Sequence, residues 1–91
     1  MSTTTVQDNA DDQVLSESEY RERLRELPPS AKLVAKVLET DAPLSQGQLV
    51  EESLLPDRTV RYALNRLGEA DLLQSRYSFR DARKHVYSLR R

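Results

Sequence analysis

Ninety-one residues, with fourteen Lys or Arg against fifteen Asp or Glu and a formal net charge of −1, suffice for one small domain with one core, so neither a second domain nor a deep enclosed active site is expected. The chain has no cysteine, which excludes disulfides, zinc–thiolate sites and thiol nucleophiles and fits a reducing, cytoplasmic compartment. No apolar run approaches the length of a membrane span, and the amino terminus MSTTTVQDNADDQ is too acidic for a secretory signal, so a soluble cytoplasmic protein with no membrane partner is expected.

In chain order, residues 1–15 are polar and acidic, with few large apolar groups to offset the entropy of ordering, and read as a flexible tail. A helix is predicted over 17–27. Ser16 can cap it with Glu19 as its box partner, and Tyr20, Leu24 and Leu27 recur at i, i+4 and i+7. Pro28-Pro29 ends it, so residues 16–28 form a unit ahead of a domain at 29–91. Ser30 then caps a helix over 31–39 that buries Leu33, Val34, Val37 and Leu38, and Asp41-Ala42-Pro43 makes a turn.

Ser45 and Gln48 form a second capping box, which opens a helix over 46–53. The next helix, 56–68, begins at Pro56, where a fixed φ and a missing N–H suit the first helical position, with Asp57 at the positive end of the helix dipole. Val60, Ala63, Leu64 and Leu67 form its buried face, and Leu49, Leu54 and Leu55 close the core. After Gly68-Glu69-Ala70-Asp71 the period changes to two. Residues 73–78 and 85–89 read as paired strands joined by Phe79-Arg80-Asp81-Ala82-Arg83-Lys84, with Asp81 serving the turn. A lone hairpin is marginal in water, so Leu72, Leu73, Tyr87 and Leu89 must pack on the helices.

The outer face of helix 56–68 holds Arg58, Thr59, Arg61, Tyr62, Asn65 and Arg66. Long cations among hydrogen-bonding side chains suit major-groove reading, where phosphates must be neutralised and base edges met by forked donors. Charge is segregated to match. Residues 1–27 carry seven acids against three arginines, residues 28–56 four acids against two lysines, and residues 57–91 nine cations against four acids. An acidic rear and a basic front form the electrostatic footprint of a DNA-binding face, although charged faces are more often only solvated.

The run LPDRTVRYALNRLGEADLL, followed by Asp81-Ala82-Arg83 and by Val86-Tyr87-Ser88-Leu89, resembles the winged helix-turn-helix of MarR-type transcriptional regulators and their archaeal, TrmB-like relatives. The likeness covers about residues 29–89. It implies an α+β fold, a three-helix core plus a two-stranded β wing, here with an added N-terminal helix. It further implies that the helix at 56–68 enters the major groove through Arg58, Thr59, Arg61, Tyr62 and Arg66. The wing would approach the adjacent minor groove through Arg80, Arg83 and Lys84. Tyr62 packing against the wing, and Asp81 with Arg83 as an ordinary turn, remain open alternatives. Family members usually carry flanking helices that build the dimer and an effector pocket, and without them no small-molecule effector is expected. Arginine outnumbers lysine eleven to three, which with the acidic tail fits a salt-adapted source and favours forked arginine contacts over simple phosphate neutralisation.

No Gly-rich phosphate loop, nucleophile triad or paired-carboxylate scaffold is present, so neither catalysis nor a cofactor is expected. The single histidine, His85, lacks a second ligand type nearby, which argues against a metal site and for a partly buried strand residue. One reading helix and one wing span too few base pairs to find a site in a genome. The sequence therefore points to a homodimer on a palindromic double-stranded operator, acting as a repressor by steric blocking. Tyr20, Leu24 and Leu27, a stripe outside the three-helix core, are the expected dimer contact. The alternative is a winged-helix module that binds protein in a transcription complex without its own DNA specificity.

Overall fold

The computed structural model describes residues 14–79 and 84–91. Four helices, α1 (Glu17–Arg25), α2 (Pro29–Asp41), α3 (Gln46–Ser53) and α4 (Asp57–Glu69), are followed by two strands, β1 (Leu73–Tyr77) and β2 (His85–Leu89). Both predicted capping boxes form. At α1 the Ser16 hydroxyl accepts from the Glu19 N–H at 3.2 Å, and the Glu19 carboxylate accepts from the Ser16 N–H at 3.1 Å. The bond from the Ser16 N–H, with a second that the Ser16 hydroxyl donates to the same carboxylate at 3.2 Å, holds the Glu19 carboxyl below its ordinary range. At α3 the same exchange joins Ser45 and Gln48 at 2.9 and 3.2 Å.

Helix α2 departs from expectation at its start and on its buried face. Ser30 is not its cap; the helix begins at Pro29 with Pro28 in the cap position and no side-chain cap, since a proline at the first position has no N–H to satisfy. The buried face is Ala31, Val34, Ala35 and Leu38, whereas Leu33 is 40% exposed and Val37 is half-buried. Two alanines let α2 approach α4 closely, and that small-residue face outranks the bulkier leucine. A second correction falls at the turn between α3 and α4. Leu54 caps α3 in the left-handed conformation, φ 63°, and stands 88% exposed instead of closing the core. Leu55 is partly buried against the core.

Strands β1 and β2 pair antiparallel, from Leu73 with Leu89 to Tyr77 with His85. The hairpin is fastened to the helices at its base and along one edge. Arg90 donates its N–H to the Leu72 carbonyl at 2.9 Å, and Leu44 and Tyr87 exchange two backbone bonds at 3.1 and 2.7 Å. Val60, Ala63, Leu64 and Leu67 of α4 are buried with Leu49 and Leu72, as their spacing predicts.

Helix α1 belongs to this same core. Tyr20, Leu24 and Leu27 are 1%, 7% and 8% exposed within the single chain, which removes the reason for assigning them to a dimer contact. The stripe is covered by its own domain, and polar contacts pin it there. The Tyr20 hydroxyl donates to Glu39 Oε2 at 2.6 Å, and the Arg91 guanidinium lies 4.9 Å from the Tyr20 ring centre. Arg23 donates to the Ala70 carbonyl at 3.1 Å, at the C-terminal end of α4 where a cation suits the dipole. Burial, reinforced by the bond to Glu39, holds the Tyr20 phenol well above its ordinary range.

Candidate nucleic-acid interface

Helix α4 is long and strongly amphipathic, so burying Val60, Ala63, Leu64 and Leu67 fixes what the opposite face presents. Arg58, Arg61, Tyr62 and Asn65 are exposed there, and Thr59 and Arg66 are half-buried. The three arginines are not equivalent. Arg58 makes no ion pair or hydrogen bond among the described residues, whereas Arg61 reaches back one turn to Asp57 at 3.3 Å. Arg66 is held on two sides: it donates to the Tyr62 hydroxyl at 3.1 Å and meets Glu69 at 3.3 Å. Its guanidinium also lies 5.9 Å from the centre of the Tyr62 ring. Tyr62 therefore leans along its own helix onto Arg66.

The start of α4 is tied to the start of α3, because Gln46 Nε2 donates to Asp57 Oδ1 at 2.9 Å. That bond fixes the angle between the two helices of the helix-turn-helix at the end nearest Arg58 and Arg61. Sequence reasoning missed Gln46, since a lone polar residue in the first turn of a helix gives no signal of a bond to the next helix.

On the wing, Lys84 is exposed, and its carbonyl accepts from the Ser78 N–H at 2.8 Å. Arg80, Asp81 and Arg83 lie outside the described residues. His85 is exposed and not partly buried as expected, with its ring 4.5 Å from that of Tyr77 and 6.4 Å from that of Tyr87 in edge arrangements. The reason is that His85 faces α3 across an open groove and is not packed against it. Arg76 and Phe79 are exposed on the same hairpin.

The basic character of the last third is divided between two surfaces. Arg90 pairs with Asp71, and Arg91 meets Glu17 and Glu39, both at 3.7 Å, on the side of α1. The remaining described cations, Arg58, Arg61, Arg66, Arg76 and Lys84, belong to α4 and the wing. Among the described residues no group of three or more His, Asp or Glu is placed to hold a metal ion, and no helix is long and apolar enough to cross a membrane.

No protein-family model and no curated protein sequence matches the chain. Solved structures do. The chain is similar to the PcaV transcriptional regulator of Streptomyces coelicolor in complex with its natural ligand, at 25% identity and TM-score 0.66 over 70% of this chain and 45% of that one. It is similar to the zinc-responsive MarR family member ZitR of Lactococcus lactis, at 22% identity and TM-score 0.63 over 70% and 44%. It is also similar to MepR of S. aureus in a DNA complex, at 16% identity and TM-score 0.65 over 80% and 62%. The chain thus spans about half the length of the structures it resembles. The ligand held by PcaV gives no support to the expectation that a small-molecule effector is absent. Four helices, a fastened two-stranded wing and these likenesses together show that the chain has the MarR-type winged helix-turn-helix fold.

Proposed function

We propose that this chain is a sequence-specific double-stranded DNA-binding regulator of transcription, working as a homodimer on a palindromic operator and repressing by occupying the promoter. One observation carries the reading. The face of α4 that the core leaves exposed is the face bearing Arg58, Arg61, Tyr62 and Arg66, in a fold that one similar protein presents to DNA. Forked guanidinium groups at one-turn spacing match the donor geometry that guanine edges and phosphates require. The dimer rests on size, since one helix and one hairpin contact too few base pairs for a genomic site.

The test is a titration of a labelled duplex, about three helical turns long, across a series of salt concentrations. Binding should weaken steeply with salt, and the Arg58→Ala, Arg61→Ala double variant should bind more weakly with a slope shallower by about two phosphate contacts. A parent protein that fails to bind duplex at low salt, or a double variant with unchanged affinity and slope, contradicts the reading.

A further inference from the structure

Three side chains on the exposed surface form one chain of contacts that crosses from α3 to α4. Gln46 Nε2 donates to Asp57 Oδ1 at 2.9 Å, and Arg61 Nη2 donates to the other oxygen, Asp57 Oδ2, at 3.3 Å. A single carboxylate is thus held from both sides, by the first residue of α3 and by the next turn of its own helix. Arg58 has no such partner among the described residues, and Arg66 is held by Tyr62 and Glu69 within α4. Of these three arginines, Arg61 is the one tied, through Asp57, to a second element.

Stability does not account for the arrangement. The Arg61 and Asp57 side chains are 66% and 62% exposed, and an ion pair this open contributes little to folding. Asp57 does suit the positive end of the α4 dipole, but a first-turn acid does so without any bond to Gln46. Near a polyanion the carboxylate is a liability, because it repels phosphate on the face that carries Arg58 and Arg61. What it supplies is direction. An unpaired arginine samples many rotamers, whereas the bond to Asp57 turns the Arg61 guanidinium back one turn towards the N-terminal end of α4. That is the end whose residues meet base edges when such a helix lies in a major groove. The pairing leaves the guanidinium competent, since one of its N–H groups goes to Asp57 and a guanine edge accepts from others of the fork.

Resting on the DNA-binding reading above, we infer that Asp57, fixed by Gln46 from α3, sets the Arg61 guanidinium for a guanine edge, so that Gln46 and Asp57 are positioning residues for base choice and not for affinity. The consequence is a pair of opposed signs that a merely structural role would not give. Removing Asp57 takes a negative charge off the face and should strengthen binding to any duplex, while it deprives Arg61 of its direction and should weaken the preference for guanine. Gln46 is uncharged, so its removal should leave general affinity alone and lower the preference.

The experiment is selection of bound duplexes from a library with a randomised core of about twenty base pairs, on the parent, Gln46→Ala, Asp57→Ala, Arg61→Ala and the Gln46→Ala, Arg61→Ala double variant. Anisotropy titration of the unselected library and circular dichroism accompany each protein. Arg61→Ala should lose a guanine preference at one position of the motif. Gln46→Ala should lower that same preference about threefold and bind the unselected library as the parent does. Asp57→Ala should lower it about fivefold and bind the unselected library about twofold more tightly. The double variant should match Arg61→Ala, because Gln46 acts only through that side chain. If Gln46→Ala keeps the preference that Arg61→Ala loses, Arg61 reads unaided; the positioning inference falls and the reading helix stands. An Asp57→Ala variant that loses general affinity together with preference overturns the inference as well, since the carboxylate then serves the fold. A parent that enriches no motif overturns the DNA-binding reading along with it.

Discussion

Arg58, Arg61 and Arg66 share a face and differ in what holds them when no DNA is present. Among the described residues Arg58 has no partner to give up, so Arg58→Ala should weaken operator binding by about 1–3 kcal/mol while leaving the thermal midpoint unchanged. Competition titrations against a non-specific duplex check it. Leu54 occupies left-handed backbone with its side chain in solvent, an arrangement that costs a leucine about 1–2 kcal/mol. Leu54→Gly should therefore raise stability by roughly 0.5–1 kcal/mol, measured as a shift in the urea midpoint at constant slope. Tyr20 carries the opposite kind of test. Its phenol is held above the ordinary value of 10.0, so the unfolded chain ionises first. The stability it contributes is complete below that value and is lost as pH rises past it. Tyr20→Phe should cost about 1 kcal/mol at neutral pH and make unfolding less sensitive to alkali than in the parent. Equal alkaline sensitivity in the two proteins would count against the Tyr20–Glu39 bond as its source. Cap residues such as Ser16 and Ser45 were legible in the sequence because capping is a local interaction between residues three apart. Leu33 and His85 were misjudged because their exposure depends on a packing partner elsewhere in the chain.

At the level of elements, the apolar stripe of α1 was visible at helical spacing, but periodicity says only which face is apolar and not what covers it. Its own domain does. Leu24 is 7% exposed among core residues, so Leu24→Ala should destabilise the domain by about 2–5 kcal/mol. The Tyr20→Asp, Leu24→Asp double variant should unfold the domain and not yield a folded monomer. Circular dichroism together with sedimentation separates these outcomes, and a folded monomer would restore the stripe as a contact between chains. The helix–turn–helix and the hairpin were legible for complementary reasons: proline and the two boxes punctuate the helices, and a change from the helical period to two marks the strands. The groove that leaves His85 open towards α3 was not, since strand pattern gives register but not what packs beneath it.

Over the whole molecule, charge is segregated more finely than the sequence alone indicated. A net charge of −1 conceals a basic α4 and wing, while Arg90 and Arg91 pair with the acids Asp71, Glu17 and Glu39. On the proposed function, a basic front would orient the domain on a polyanion. The direct measurement of whether this front reads sequence is selection of bound duplexes from a random library, run in parallel on the parent and on Arg61→Ala. A sequence-specific reading helix should enrich a short motif that recurs as an inverted repeat with half-sites about one helical turn apart, and Arg61→Ala should lose preference at a defined position within each half-site. Recovery of no motif, or of the same motif with equal preference from both proteins, would contradict the assignment of α4 as the element that reads DNA.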